Sequence, residues 1–389
     1  MYPPHSYGGY EHVWHSATEH LRARGHDVRV LTTDTRTGAR EPDPPHVRRE
    51  LRWHLEGGEF APLRPRERLA IARHNHRVLD ANLANHRPDV FMWWAMGGLT
   101  LTLLETVRRR GIPAVAFVHD DWLDYGRYVD PWLSRFTGPR RRLLAGLGER
   151  LTGLPARVDF AGAASYVFVS EHVRRRAQAV GLALRDTSVA HSGIDPALLD
   201  PAPEREWRWR LLYVGRLDPR KGVATAIEAL AHLPAEARLD LVGGWDAAEE
   251  RRLRALADRT GLADRVAFHG HRERAELPTF YAAADAVVFP VVWDEPWGLV
   301  PLEAMAQGRP VIATGRGGSA EYLRDGENCL LFEAGDAAAL AGALRRLAGD
   351  PELRARLRAG GLDTAPRHTE PVLNAAVERA VLRAAGVAA

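Results

Sequence analysis

A chain of 389 residues suffices for two domains at roughly 100–200 residues each, and its 46% hydrophobic and 26% charged residues are the balance of a globular protein. No apolar run approaches the roughly 20 residues of a membrane-spanning helix, and a single cysteine, Cys329, excludes an intrachain disulfide. The formal charge is only +3, with 53 basic residues scattered among 50 acidic ones, which argues against a nucleic-acid partner.

The opening Met1-Tyr2-Pro3-Pro4-His5 lacks the basic start and apolar core of a secretion signal, so the cytoplasm is the expected compartment. Residues 2–9 form a loop that ends in the pair Gly8-Gly9. Short β-rich runs at 28–31, 90–94, 114–118 and 166–169 predict buried strands, and a second series follows at 211–214, 239–242, 266–268, 286–289, 311–313 and 329–332. Helical spacing of apolar residues at 223–233, 247–256, 275–283 and 337–347 fills the gaps of the second series, and 370–389 is helical with no strand after it. Such alternation predicts an α/β protein with parallel sheets covered by helices on both faces. The polar, proline-rich segment 200–206 divides the chain into domains at 1–203 and 204–389, with the terminal helix free to pack on either. Both domains are expected to be doubly wound, with ligands beyond the carboxyl ends of their strands. The first domain lacks an opening strand before its loop. Either that strand is missing or the natural start lies upstream of Met1; the second is expected, because a missing central strand leaves its neighbours with unpaired backbone groups.

Two turns carry chemistry. After the strand at 211–214 comes Gly215-Arg216-Leu217-Asp218-Pro219-Arg220-Lys221-Gly222, leading directly into a helix. Arg216 and Lys221 stand where a diphosphate could bind, although cations in a polar turn are common. Lys221 is the only lysine among 53 basic residues, and an ammonium is a compact, rotatable partner for a phosphate oxygen. After the strand at 286–289 a loop carries Glu295, and a helix begins near Val300 with Pro301 in its first turn. Gly298 permits close backbone approach, and the N–H groups of Leu299 and Val300 are left free at the helix start, a site for an anion. Glu295 can accept hydrogen bonds from sugar hydroxyls and Glu303 from a ribose diol. The alternative is a helix-start and a solvated glutamate, but Glu303 lies among Leu302, Ala304, Met305 and Ala306.

These motifs resemble those of the retaining family 4 glycosyltransferases of the GT-B fold, in which two Rossmann-like domains face each other across a cleft. The family's marks are a G-R-x-x-x-x-K-G turn and two glutamates eight positions apart around a G-L-V or G-L-P core, here 215–222 and Glu295 with Glu303. The resemblance implies that Arg216 and Lys221 hold the donor diphosphate, that Glu295, Trp297, Gly298, Leu299 and Val300 hold the transferred sugar, and that Glu303 holds the ribose. By the same resemblance Gly8 and Gly9 face the donor phosphates, His119 orients the sugar, and Gly243, Gly244, His271 and Arg272 line the base. His191-Ser192-Gly193-Ile194-Asp195 departs from the family's N-G-V-D turn, with Ser192 where Asn is usual. The implied reaction moves a hexose from a nucleotide diphosphate sugar to an acceptor hydroxyl with retention at the anomeric carbon.

Neither a D-x-D motif nor a His/Cys cluster with metal spacing is present, so no metal or other cofactor is expected beyond the nucleotide-sugar co-substrate. The partners expected are that donor and a small-molecule or glycan acceptor. The aromatics Trp93, Trp94, Trp122, Tyr125, Tyr128 and Trp132 suit either an acceptor or core packing. Arg140 to Arg142 and Arg174 to Arg176 are basic clusters that give a weak peripheral attraction to an anionic membrane. Two rival readings are a GT-B-like nucleotide-sugar epimerase and a non-catalytic protein that binds an anionic ligand or nucleic acid.

Overall fold

The computed structural model of the chain describes residues 1–6, 8–37, 42–56, 59–244 and 246–387; Tyr7, within the expected opening loop, lies outside them. The chain divides into two compact units, Met1–His191 with Leu373–Ala389, and Ser192–Val372.

The second unit is built on a six-stranded parallel sheet. Its spatial order is Val266–Gly270, Arg238–Val242, Arg210–Val214, Ala286–Phe289, Val311–Ala313 and Leu330–Leu331. That is the 3-2-1-4-5-6 order of a doubly wound fold, which reverses between the first and fourth strands. The inner strands are continuous β-branched and leucine runs because helices cover both faces: all four residues of Ala286–Phe289 and all three of Val311–Ala313 are buried. The covering helices present one apolar stripe each. In Ala337–Gly349 the buried residues are Leu340, Ala341, Leu344 and Leu347, a spacing of three and four that matches the helical period. Aspartates begin these helices. Asp246, Asp336 and Asp350 accept from Ala248, Ala339 and Leu353 N–H groups, satisfying donors that the helix itself cannot.

The first unit has a four-stranded parallel sheet in sequence order, Phe91–Trp94, Ala114–Val118, Ser165–Phe168 and Thr187–Val189. A separate parallel pair joins Val30–Thr33 to Val47–Leu51, and a short antiparallel pair joins Leu55–Glu56 to Glu59–Phe60. Aromatic side chains connect the pair to the sheet. Trp14, from the helix Gly9–Ala23, stacks on Trp94 at 6.1 Å and meets the edge of Tyr2 at 4.9 Å, while Tyr2 packs with Val30 and Val47.

Each predicted strand has a counterpart within about two residues, although 329–332 shrinks to Leu330–Leu331. The sequence pattern misses Val47–Leu51, whose V-R-R-E-L alternates around three charged residues, and the three-residue Thr187–Val189. The proline-rich segment 200–206 lies inside the second unit. Residues 192–203 are tied there by hydrogen bonds from Trp297 Nε1 to Ser192 O, Gln307 Nε2 to Leu198 O and Arg309 Nη2 to Pro203 O. The end of the last helix, Glu370–Ala384, is held in the first unit, where Glu378 accepts from His20 and Arg24 at 3.1 Å each and Asn374 donates to Ser16.

Candidate active site

The reversal in strand order places a crevice beyond Val214 and Phe289, and the two motif loops follow those strands. In the first loop Gly215 takes φ 143° and donates its N–H to Val242 O at 2.9 Å. The Tyr213 hydroxyl donates to Arg216 O at 2.6 Å, fixing the backbone that carries Arg216. Asp218 starts the 3-10 turn Pro219–Lys221 and grips the Arg220 guanidinium, with Nη2 to Oδ2 at 2.6 Å. Burial alone would raise the Asp218 carboxyl, but its bonds to Arg220 hold it below the ordinary value. Gly222, at φ 67°, is where the loops touch: a Cβ there would lie 1.9 Å from Pro290 O. Only glycine allows that approach in the left-handed region.

The second loop turns back onto the first. Val292 N–H donates to Arg220 O at 2.9 Å. Lys221 Nζ donates to Glu295 Oε2 at 2.6 Å, and Trp293 Nε1 donates to the same oxygen at 2.8 Å. The Trp293 ring lies 4.7 Å from the Arg220 guanidinium carbon and 5.5 Å from Lys221 Nζ. Asp218, Arg220, Trp293, Glu295 and Lys221 thus form a continuous set of contacts linking the two motifs. The Lys221 and Glu295 side chains are only 14% and 12% exposed, so water screens their attraction weakly. Glu295 Oε1 accepts no hydrogen bond from any described residue. The Glu295 backbone is pinned from behind, where Gly318 N–H donates to its carbonyl at 2.6 Å and a Cβ on Gly317 would come within 2.3 Å of that oxygen.

Beyond Glu295 the chain enters the helix Val300–Ala306. Gly298 takes φ 87° and its carbonyl accepts from the Tyr322 hydroxyl at 2.5 Å. The N–H groups of Gly298, Leu299 and Val300 meet no acceptor among the described residues, so they are available to an anion at the helix start. Glu303 is 8% exposed, and its Oε2 accepts from the Tyr281 hydroxyl at 2.7 Å. Burial pushes its carboxyl up, against the lowering effects of Tyr281 and Arg274. Trp297 turns inward: it is 3% exposed, donates to Ser192 O at 2.9 Å, and packs on Tyr322 and His368. Its ring is thus committed to packing within the second unit, in place of the sugar contact expected of it. Gly243, at φ 138°, lies against the first loop, where a Cβ would be 1.9 Å from Gly215 O. The amide nitrogen of His271 lies 3.8 Å from where a Cβ on Gly244 would be, and the His271 and Arg272 side chains are exposed.

The structure brings Arg216, Lys221, Glu295, Gly298, Leu299, Val300 and Glu303 to one end of one sheet. Trp293, Arg220 and Gly317 were missed in the sequence. Trp293 looks like any loop tryptophan. The glycine pair 317–318 follows the strand Val311–Ala313, so the rule that ligand loops follow strands could have found it.

The profile of the family described as "Glycosyltransferase Family 4" matches residues 7–198, and that described as "Glycosyl transferases group 1" matches residues 199–363. The chain carries a family 4 glycosyltransferase domain followed by a group 1 glycosyltransferase domain. A D-inositol 3-phosphate glycosyltransferase of Xylanimonas cellulosilytica is 41% identical over 152 residues, covering 39% of this chain and 36% of that one. Its namesake from Streptomyces bingchenggensis is 29% identical over 374 residues, covering 88% and 77%. The chain spans less than half the length of the first curated relatives it matches. Sucrose-phosphate synthase from Thermosynechococcus elongatus shares the GT-B fold with a TM-score of 0.72 at 23% identity, over 96% of this chain and 92% of that one. Anabaena HepE, in complex with UDP-glucose, gives 0.57 at 22% identity over 78% and 80%.

The remaining expected residues lie in the first unit, within the match to the family 4 profile. Gly8 and Gly9 open the helix Gly9–Ala23, and Gly8 N–H donates to Glu11 Oε2 at 3.1 Å. Gly8 is extended at φ −179°, and a Cβ on it would meet nothing within 4 Å, so neither backbone angle nor packing requires glycine there. His119 follows the strand Ala114–Val118 and stands against Tyr10 at 5.1 Å and Trp94 at 5.5 Å. Burial pushes its imidazole down to about 3. Asp120 accepts from Trp122 N–H and from the Tyr125 hydroxyl at 2.8 Å, and burial pushes its carboxyl up to about 6. Trp93, Trp94, Trp122 and Trp132 are buried, and Tyr128 is exposed, so most of the aromatics serve the core. Ser170 caps its helix by accepting from Val173 N–H. Among the described residues no group of three or more His, Cys, Asp or Glu could hold a metal ion, and no helix is long and apolar enough to cross a membrane.

Proposed function

We propose that the second unit binds a nucleotide diphosphate sugar and that the protein transfers its hexose to an acceptor hydroxyl with retention of anomeric configuration. One observation carries the reading: Lys221 and Glu295, from loops after the two strands that flank the switch point, meet at 2.6 Å. A cation for a diphosphate and a carboxylate for sugar hydroxyls stand side by side, as a sugar joined to a phosphate requires. Lys221 has two further N–H donors for a phosphate oxygen while it keeps Glu295. Glu295 Oε1 accepts from a sugar hydroxyl. Glu303, half satisfied by Tyr281, accepts from the ribose. UDP and UDP-glucose are ligands of the fold neighbour HepE, which supports a donor of this class.

Chemistry then follows from charge. The bond from the anomeric carbon to the phosphate oxygen breaks, and the diphosphate gains negative charge. Arg216, Lys221 and the N–H groups of Gly298, Leu299 and Val300 meet that charge as it develops. The acceptor oxygen bonds to the anomeric carbon on the face the diphosphate leaves, and its proton passes to a departing phosphate oxygen. No enzyme carboxylate is assigned as nucleophile, in contrast with retaining glycosidases. His119, neutral in its aromatic setting, is not assigned as a base. A metal ion is not required in this scheme because protein cations and amides meet the diphosphate.

The test is NMR of donor and enzyme with and without acceptor. Product with the donor's anomeric configuration, formed only with acceptor present, is expected. Inversion would refute retention. Epimerised sugar formed from donor alone would replace transfer with epimerisation.

A further inference from the structure

Four of the nine large apolar side chains left exposed among the described residues fall in one short stretch. Leu143, Leu144, Leu147 and Leu151 are 80%, 55%, 55% and 73% exposed. Leu143, Leu147 and Leu151 recur every four residues into and along the helix Ala145–Thr152, with Leu144 beside them. At helical spacing the four share one stripe. The opposite side of the helix is seated on the first unit. Ala145 is fully buried, and Gly148 lies so close to Phe136 that a Cβ there would come within 2.8 Å of the ring. The Phe136 ring in turn packs on Trp132 at 5.1 Å. The leucines therefore point outward from an anchored helix.

Charge surrounds them asymmetrically. Residues 139–153 contain four arginines and one glutamate, a net +3 that equals the formal charge of the whole chain. The glutamate, Glu149, is paired with Arg109. Arg140, Arg141 and Arg150 are exposed and form no ion pair with any described residue. A stripe of leucines flanked by unpaired arginines matches a lipid interface with anionic headgroups. It matches a second copy poorly, because a self-complementary contact would set +3 against +3.

We infer that this stripe docks the protein on an anionic bilayer, with the leucines at the acyl boundary and the arginines on headgroup phosphates. The inference does not depend on the donor site, which lies in the other unit.

Flotation of the full chain with vesicles tests it. Binding is expected to equimolar phosphatidylglycerol and phosphatidylcholine, and only weakly to phosphatidylcholine alone. Leu143→Ser with Leu147→Ser should lower partitioning about tenfold or more. Arg140→Ala with Arg141→Ala should lower it about 25-fold, at roughly fivefold per arginine, while the remote Arg346→Ala leaves it unchanged. A second readout does not depend on the serine variants folding. The native Cys329 is buried, so an environment-sensitive dye on Leu147→Cys reports from the stripe alone, and its emission should shift to the blue with anionic vesicles. Equal binding to both vesicle types, no blue shift, or a wild-type dimer that Leu147→Ser converts to monomer would each overturn the inference.

Discussion

At the scale of single residues, the Lys221–Glu295 pair decides the outcome of mutation. Lys221→Ala and Glu295→Ala are each expected to lower turnover by about 10²–10³, the loss typical of one contact to developing charge. Each also leaves a poorly solvated partner charge, so the melting temperature should fall as well. Trp293→Phe is the sharper variant. It keeps an aromatic ring under Arg220 and removes only the N–H on Glu295 Oε2. The expected result is a loss of about tenfold in kcat, the effect of one hydrogen bond to a charged group, at nearly constant stability in a thermal melt; unchanged kcat would show that Lys221 alone holds Glu295. His119 gives a pH prediction. Its imidazole is lowered by burial to about 3, so between about pH 6.5 and that value the unfolded chain binds the proton that the folded chain refuses. This residue's contribution to stability is thus lost as pH falls from 6.5 toward 3. An NMR titration should find its ring neutral at pH 5, and a midpoint near 6.5 would contradict the buried setting. Arg216 and Lys221, each next to a glycine, and Glu295, three residues before Gly298, were legible in the sequence because a turn with convergent charges has few structural uses. Trp293 was not, because a hydrogen bond from an indole to a carboxylate two residues away depends on the loop's path.

At the scale of elements, two glycines let backbone segments meet at the candidate site. Gly222→Ala and Gly243→Ala each place a Cβ 1.9 Å from a backbone oxygen at positive φ, so neither can be relieved by a side-chain rotation. A loss of about 3 kcal/mol or more in urea unfolding is expected for each. Gly342→Ala provides the contrast. It lies inside the helix Ala337–Gly349 with open space around it, and should gain about 0.5–1 kcal/mol from helix propensity. The strands were legible wherever they are buried on both faces, since Ala286–Phe289 and Val311–Ala313 then have no polar residue to obscure them. Val47–Leu51 was not, because three of its five residues are charged and its partner is a single parallel strand.

At the scale of the whole molecule, sequence reasoning recovered the α/β class and the GT-B fold, because the two charged turns follow strands of a recognisable series. The point of division was harder to read. Prolines 201 and 203 look like a linker, yet Arg358 Nη2 donates to Ala202 O and Arg309 Nη2 to Pro203 O, which fastens that segment to the second unit. Long-range bonds from arginines to backbone carbonyls leave no local signature. The whole-molecule prediction concerns metal. If Arg216, Lys221 and the amides after Glu295 meet the diphosphate charge, activity should persist in excess EDTA; its abolition, with recovery on adding magnesium or manganese, would contradict the scheme.

The central claim is that the two loops at the switch point bind and activate a nucleotide diphosphate sugar. The most direct test is acceptor-dependent release of nucleoside diphosphate across a panel of UDP-, GDP- and TDP-sugars, run in parallel with Lys221→Ala and Glu295→Ala. Turnover of at least one donor by the wild type and a loss of about 10²–10³ in both variants is the predicted result. Undiminished release in both variants would contradict it.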